Sequence, residues 1–185
     1  GPTGCINELM GATVCKGPAP QSRRVRVAAA RTTGRMATMA QLDRRVTEWF
    51  ADHRRDLPWR SSTPWGVYVS EIMLQQTPVN RVLPAWHQWL HRWPTPTALA
   101  DDSPGEAIRE WGRLGYPRRA KRMHEAAVIM RDRFGGEVPA DEADLRSLPG
   151  VGEYTAAAVA AFAYGRDTVV VDVNVRRFLV RVLTG

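Results

Sequence analysis

The chain has 185 residues, 44% of them hydrophobic and 24% charged, with a mean hydropathy of −0.34, which describes a globular protein of one or two domains able to bury a core. No apolar run approaches the roughly 20 residues that would cross a bilayer, so a membrane-spanning helix is excluded. The formal charge of +7 points to a polyanionic partner, but residues 1–40 hold six of the 26 basic residues and one of the 19 acidic ones. The remainder balances 20 against 18, so the placement of individual arginines must carry that case.

Residues 1–39 mix Gly, Pro, Thr, Ala and Arg without helical or strand period and are expected to be a disordered extension. Their Arg-rich, acid-poor composition resembles an organelle transit peptide. The plainer reading, favoured here, is that they precede the native start, since Met36 and Met39 stand at their end. Both cysteines, Cys5 and Cys15, fall in this stretch. They make neither a disulfide framework nor a metal set, and a reducing cytosol is the expected setting.

From residue 40 onward the pattern is helix after helix. Leu42, Val46, Trp49, Phe50 and His53 form one apolar face ending before Pro58. Helices are predicted over 65–75, behind Pro64, and over 79–93, where Pro84 marks a kink or first turn. Further helices follow at 104–112, at 118–134 up to Gly135-Gly136, at 153–164 and at 173–183, with a short turn near 141–146. Only 168–171 reads as extended, which is too little for a sheet. The chain also stops after an unfinished helical pattern, which suggests a fragment. The fold class is all-α.

Four local clusters carry possible chemistry. The Leu148-Pro149-Gly150-Val151-Gly152 hairpin can expose backbone N–H groups to an anion just ahead of a helix N-terminus, or can simply be an αα turn. Asp172, between Val171 and Val173, is either a helix N-cap or a rigidly held catalytic carboxylate, and the two roles are compatible. Glu71 interrupts the apolar stripe that contains Val67 and Leu74. It reads as a buried acid with a raised pKa or as a surface residue at the stripe's edge. A protonated acid opposite an ionised one is the division of labour that cleaves glycosidic bonds. Finally, Arg54-Arg55-Asp56-Leu57-Pro58-Trp59-Arg60 and Leu114-Gly115-Tyr116-Pro117-Arg118-Arg119-Ala120-Lys121-Arg122 read as solvated faces or as a groove for nucleic acid. His53, His87, His91 and His124 show no metal spacing, and Trp86, Trp89 and Trp93 read as core.

Taken in order, the segments LPWR (57–60), SEIMLQQTPV (70–79), GRLGYPRRAKRMHEAA (112–127), LPGVGEYTAAAVAAFAYG (148–165) and VVDVNVRR (170–177) closely resemble the helix–hairpin–helix DNA glycosylases. Among these they are most similar to the adenine glycosylases that act on A opposite 8-oxoguanine, the MutY family. The resemblance implies a six-helix-type bundle over 40–185 with the hairpin at 148–152, plus an incomplete second helical domain. It also implies a monomer acting on double-stranded DNA with A:8-oxoguanine or A:G mispairs, in the cytoplasm at the nucleoid and away from membranes.

By the same resemblance Glu71 would protonate the adenine ring and then help activate water. Asp172 would stabilise the oxocarbenium-like sugar, with Asn174 positioning it. Tyr154 stands where the endonuclease III family carries a lysine nucleophile, so a monofunctional enzyme is implied. Arg55, Trp59 and Arg60 would line the adenine pocket. Gln75, Gln76 and Thr77 would probe the gap left by the flipped base and the orphan 8-oxoguanine. Leu114 and Tyr116 would wedge into the stack, and Gly150 and Gly152 would hold a DNA phosphate.

The chain departs from the family pattern in three ways. A [4Fe–4S] cluster is expected in the parent protein, held by four cysteines after the catalytic Asp, yet no cysteine follows position 15. No metal site is therefore expected in this chain, which would end before the iron–sulfur region and the C-terminal domain that reads 8-oxoguanine. The usual Asp-Gly-Asn is Asp172-Val173-Asn174. Two other readings stay open, a thymine-mismatch glycosylase of the same fold and a non-catalytic DNA-binding module.

Overall fold

The computed structural model describes the backbone of residues 6–9, 12–14 and 32–184, and the side chains of 40–182. Two short antiparallel strands, β1 (Ile6–Leu9) and β2 (Ala12–Val14), pair Ile6 with Val14. All other regular structure among the described residues is helical. Helix α1 spans Thr32–His53, starting ten residues before its first apolar anchor at Leu42. Both features fall inside the 1–39 stretch expected to be disordered, and the rest of that stretch lies outside the described residues. Helix formers such as Met36, Ala37, Met39 and Ala40 extend α1 upstream of its apolar face.

The body follows as α2 (Pro64–Leu74), α3 (Val79–Arg92), α4 (Pro96–Ala100), α5 (Pro104–Trp111), α6 (Arg118–Arg133), α7 (Glu142–Arg146), α8 (Glu153–Tyr164) and α9 (Val173–Thr184). Short 3-10 turns lie at Pro58–Ser61 and Gly112–Leu114. These turns and α4 are too short to show a period, so the sequence pattern missed them. The helix starts are chemically explicit. The side chains of Thr63, Thr95, Ser103 and Asp141 each accept a first-turn amide, and proline opens α2, α4 and α5.

Helices α2 and α8 pack against each other at the centre, while α6 packs on α4 and α5. The core is rich in tryptophan: Trp89 meets Trp93 and Trp111 edge-on, and Trp59 meets Trp86 at 5.8 Å. Gly66 permits the closest approach, because a Cβ there would sit 2.1 Å from the Ser62 hydroxyl and 3.1 Å from the Trp86 ring. The Trp86 indole N–H donates to the Gly66 carbonyl at 2.8 Å, which locks α2, α3 and the 58–61 turn together. That turn presents Trp59 to the cleft described next.

Candidate active site

One cleft of about 630 Å³ runs between α1, the 58–61 turn, α2, α8 and the start of α9. Eight of the expected residues line it: Glu71, Asp172, Tyr154, Asn174, Arg55, Trp59, Arg60 and Gln75. Val67, Glu71 and Leu74 all reach it, as the i, i+4, i+7 face of α2 requires. Its walls also include Trp49, Phe50, His53 and Phe162, which sequence reasoning did not assign to a site. The apolar face of an amphipathic helix ordinarily turns into the core. Instead Trp49 is 50% exposed at the rim and stacks on His53 at 4.6 Å, while Arg60 lies over the Phe50 ring.

Glu71 sits half-buried on this apolar floor, and burial pushes its carboxyl up to about 7. It is therefore partly protonated at neutral pH and able to give up a proton. Tyr154, in the first turn of α8, is raised first by burial, then by the charges of Glu71 and Asp172. The phenol thus lies within electrostatic reach of both carboxylates and keeps its proton. Asp172 accepts the Val175 amide at 2.7 Å, which caps α9 and fixes the carboxylate at the cleft wall. Val173 has ordinary helical backbone, so a β-branched residue stands between Asp172 and Asn174 without strain.

Other expected residues lie outside the cleft. Gly150 has φ +85, and a Cβ there would meet Arg122 at 3.2 Å. Gly152 opens α8 without a side-chain cap and has open space where a Cβ would be. Arg118, Lys121 and Arg122 are exposed on α6, and Arg122 lies against the hairpin. Amides with no capping side chain, beside a cation, make a surface suited to a phosphate.

Two expected DNA-probing residues are placed otherwise. Leu114, expected as a wedge, is 6% exposed and packed in the core, because the 112–114 turn folds it inward. Thr77 is likewise 6% exposed; its hydroxyl donates to the Gln75 and Leu114 carbonyls and accepts from Arg119. The exposed side chains at this corner are Gln76 and Tyr116.

Arg119 was read as one of a run of surface cations and is in fact buried, donating to carbonyls of the loop after α2 and the loop before α6. Its register was the available signal, since Met123, Ala126 and Met130 share its buried face of α6. The described residues contain no cysteine, and among them no group of three or more His, Cys, Asp or Glu is placed to hold a metal ion. They do not fit an iron–sulfur cluster, which needs thiolates. Among the described residues no helix is long and apolar enough to cross a membrane.

Residues 69–184 match the HhH-GPD superfamily of base excision DNA repair proteins. The chain is 53% identical over 142 residues to an adenine DNA glycosylase of Mycolicibacterium smegmatis, covering 76% of this chain and 48% of that protein. The chain thus spans about half the length of that curated relative. It is 37% identical over 147 residues to a thymine-DNA glycosylase of Aeropyrum pernix, covering 77% of this chain and 65% of the other. Among solved structures, a thermostable thymine-DNA glycosylase superposes with a TM-score of 0.67 at 28% identity, over 71% of this chain and 62% of that one.

Proposed function

The chain belongs to the HhH-GPD superfamily of base excision DNA repair proteins, and on that footing we propose that it carries the catalytic part of a monofunctional adenine DNA glycosylase. Its substrate is double-stranded DNA in which adenine faces 8-oxoguanine or guanine. The observation that carries the reading is Glu71, an acid with its carboxyl raised to about 7 in the same cleft as Asp172 and Tyr154. The higher identity to an adenine than to a thymine glycosylase supports the choice of base.

The glycosidic bond is inaccessible inside a duplex, so the adenosine must flip into the cleft at a cost of a few kcal/mol. There Arg55, Trp59 and Arg60 hold the base. Glu71 donates its proton to an adenine ring nitrogen, which makes the base a better leaving group. The C1′–N bond breaks, its electron pair stays with adenine, and the Asp172 carboxylate stabilises the positive sugar, with Asn174 supporting its position. Glu71, now ionised, accepts a proton from water as the oxygen joins C1′. Tyr154 offers no amine, so no Schiff base forms and the strand is left uncut. Gly150 and Gly152, with Arg122 beside them, bind the DNA backbone, while Gln75, Gln76 and Tyr116 enter the gap left by the flipped base.

Single-turnover excision on A:8-oxoguanine, A:G and T:G duplexes tests this reading. Adenine release that disappears in Glu71→Gln supports it. Faster release of thymine from T:G would transfer the assignment to the thymine-mismatch class, and duplex binding with no excision would favour a binding module.

A further inference from the structure

Arg119 is 8% exposed, and among the described residues no carboxylate pairs with it. A buried cation is costly unless its donors are satisfied. Here the two terminal nitrogens are satisfied by main chain and one hydroxyl, while the buried Nε has no hydrogen-bond partner among the described residues. Nη1 donates to the Ile72, Met73 and Gln75 carbonyls at the end of α2. Nη2 donates to the Thr77 hydroxyl at 2.9 Å, to the Gly115 carbonyl at 3.1 Å and to the Leu114 carbonyl at 3.4 Å. The guanidinium also lies over the Trp111 and Tyr116 rings, and the Trp111 indole donates to the same Gly115 carbonyl at 2.8 Å.

One side chain of α6 therefore ties together two loops that the Thr77 hydroxyl also joins, through the Leu114 carbonyl 37 residues away. Each loop carries a residue of the same unusual kind. Gln76 has φ 55 and Tyr116 has φ 51, the two non-glycine residues with positive φ among the described residues. Both are exposed, and Tyr116 is 63% so. A non-glycine residue held there costs on the order of 1–3 kcal/mol and persists only when its surroundings over-determine it. The fork of Arg119 supplies that constraint to both loops at once.

We propose that Arg119 is a positioning residue that holds Gln76 and Tyr116 in the paired geometry with which they interrogate the DNA opposite the flipped base, and so sets mispair discrimination rather than bond cleavage. The proposal rests on the reading that these two side chains enter the duplex. A flexible ammonium cannot bridge six acceptors as a planar fork does, so Arg119→Lys should fold yet loosen both loops.

The test measures binding of the 185-residue chain to an A:8-oxoguanine duplex and to its matched A:T counterpart at fixed salt. Single-turnover excision at saturating protein is followed alongside. Arg119→Lys should reduce the mispaired-to-matched affinity ratio on the order of tenfold. The saturated excision rate should stay within about twofold, an insignificant change in barrier. In a Gln76→Ala/Tyr116→Ala background the same substitution should change the ratio no further. An unchanged ratio, an equal effect in that background, or no preference in the unsubstituted chain would each overturn the proposal. Should Arg119→Lys fail to fold, adding Gln76→Gly and Tyr116→Gly removes the strain at both positions and must restore folding; failure to restore it overturns the proposal too. A chain that discriminates by binding but excises nothing defeats the glycosylase reading alone.

Discussion

The Asp172 carboxylate accepts the Val175 amide at 2.7 Å, so the acid at the cleft wall is also the N-cap of α9. Its position is set by an amide three residues further along its own chain, in the first turn of the helix it caps. Glu71 is held differently, on the C-terminal half of α2 against apolar neighbours, and nothing but burial shifts it. The two acids differ because their local structures differ.

Glu71→Gln should lower single-turnover excision by about 10²–10⁴-fold while duplex affinity is kept. In the unsubstituted chain the rate should fall as pH rises through about 7, since the ionised acid has no proton to give. Excision that stays flat from pH 6 to 9 would remove Glu71 from the role of acid.

The same carboxyl is a stability liability. Its folded pKa of about 7 exceeds the ordinary value of 4.5, so the folded state binds the proton more tightly. Stability from this group is complete below about pH 4.5 and is lost as pH rises through about 7. Glu71→Gln should therefore be more stable at pH 8, by up to about 3 kcal/mol, with the advantage vanishing near pH 4. Denaturant melts at the two pH values check this.

The hairpin glycines separate architecture from binding. Gly150→Ala forces a Cβ into φ +85 and toward Arg122, and should cost about 1–3 kcal/mol of stability. Gly152→Ala meets open space, so stability should change by less than about 0.5 kcal/mol. If a phosphate approaches that backbone, duplex affinity falls in Gly152→Ala all the same. Unchanged affinity would place the phosphate elsewhere.

Gly66→Ala should destabilise the fold by about 1–3 kcal/mol, since its Cβ would overlap the Ser62 hydroxyl at 2.1 Å. Adding Ser62→Ala removes that oxygen and should recover part of the loss. A double-mutant cycle on melting temperature checks the coupling.

The local patterns that the physics makes strong were legible beforehand. Glu71 stood out because a charge in a helical apolar stripe is costly, and the start of α8 stood out because Gly-Val-Gly cannot continue a helix. What could not be read was direction. Trp49, Phe50 and His53 satisfy an amphipathic pattern whether their face meets core or cleft, and they line the cleft. Arg119 was concealed by its neighbours, because Arg118, Lys121 and Arg122 make the run look uniformly solvated. The burial of Leu114 and Thr77 was not legible either: a 3-10 turn carries Leu114 inward, and Thr77 is held by hydroxyl bonds to two carbonyls and Arg119, geometries with no sequence period.

The distribution of tryptophan gives the molecule a built-in optical reporter. Of its seven indoles, six are buried and only Trp49, at the mouth of the cleft, is half open to water. The red edge of the emission spectrum therefore belongs to one residue. A base entering the cleft would stack near that indole and quench the red component, leaving the blue emission of the core as an internal standard. Base extrusion then becomes a time-resolved signal from the unlabelled protein, separable from the later release of the free base.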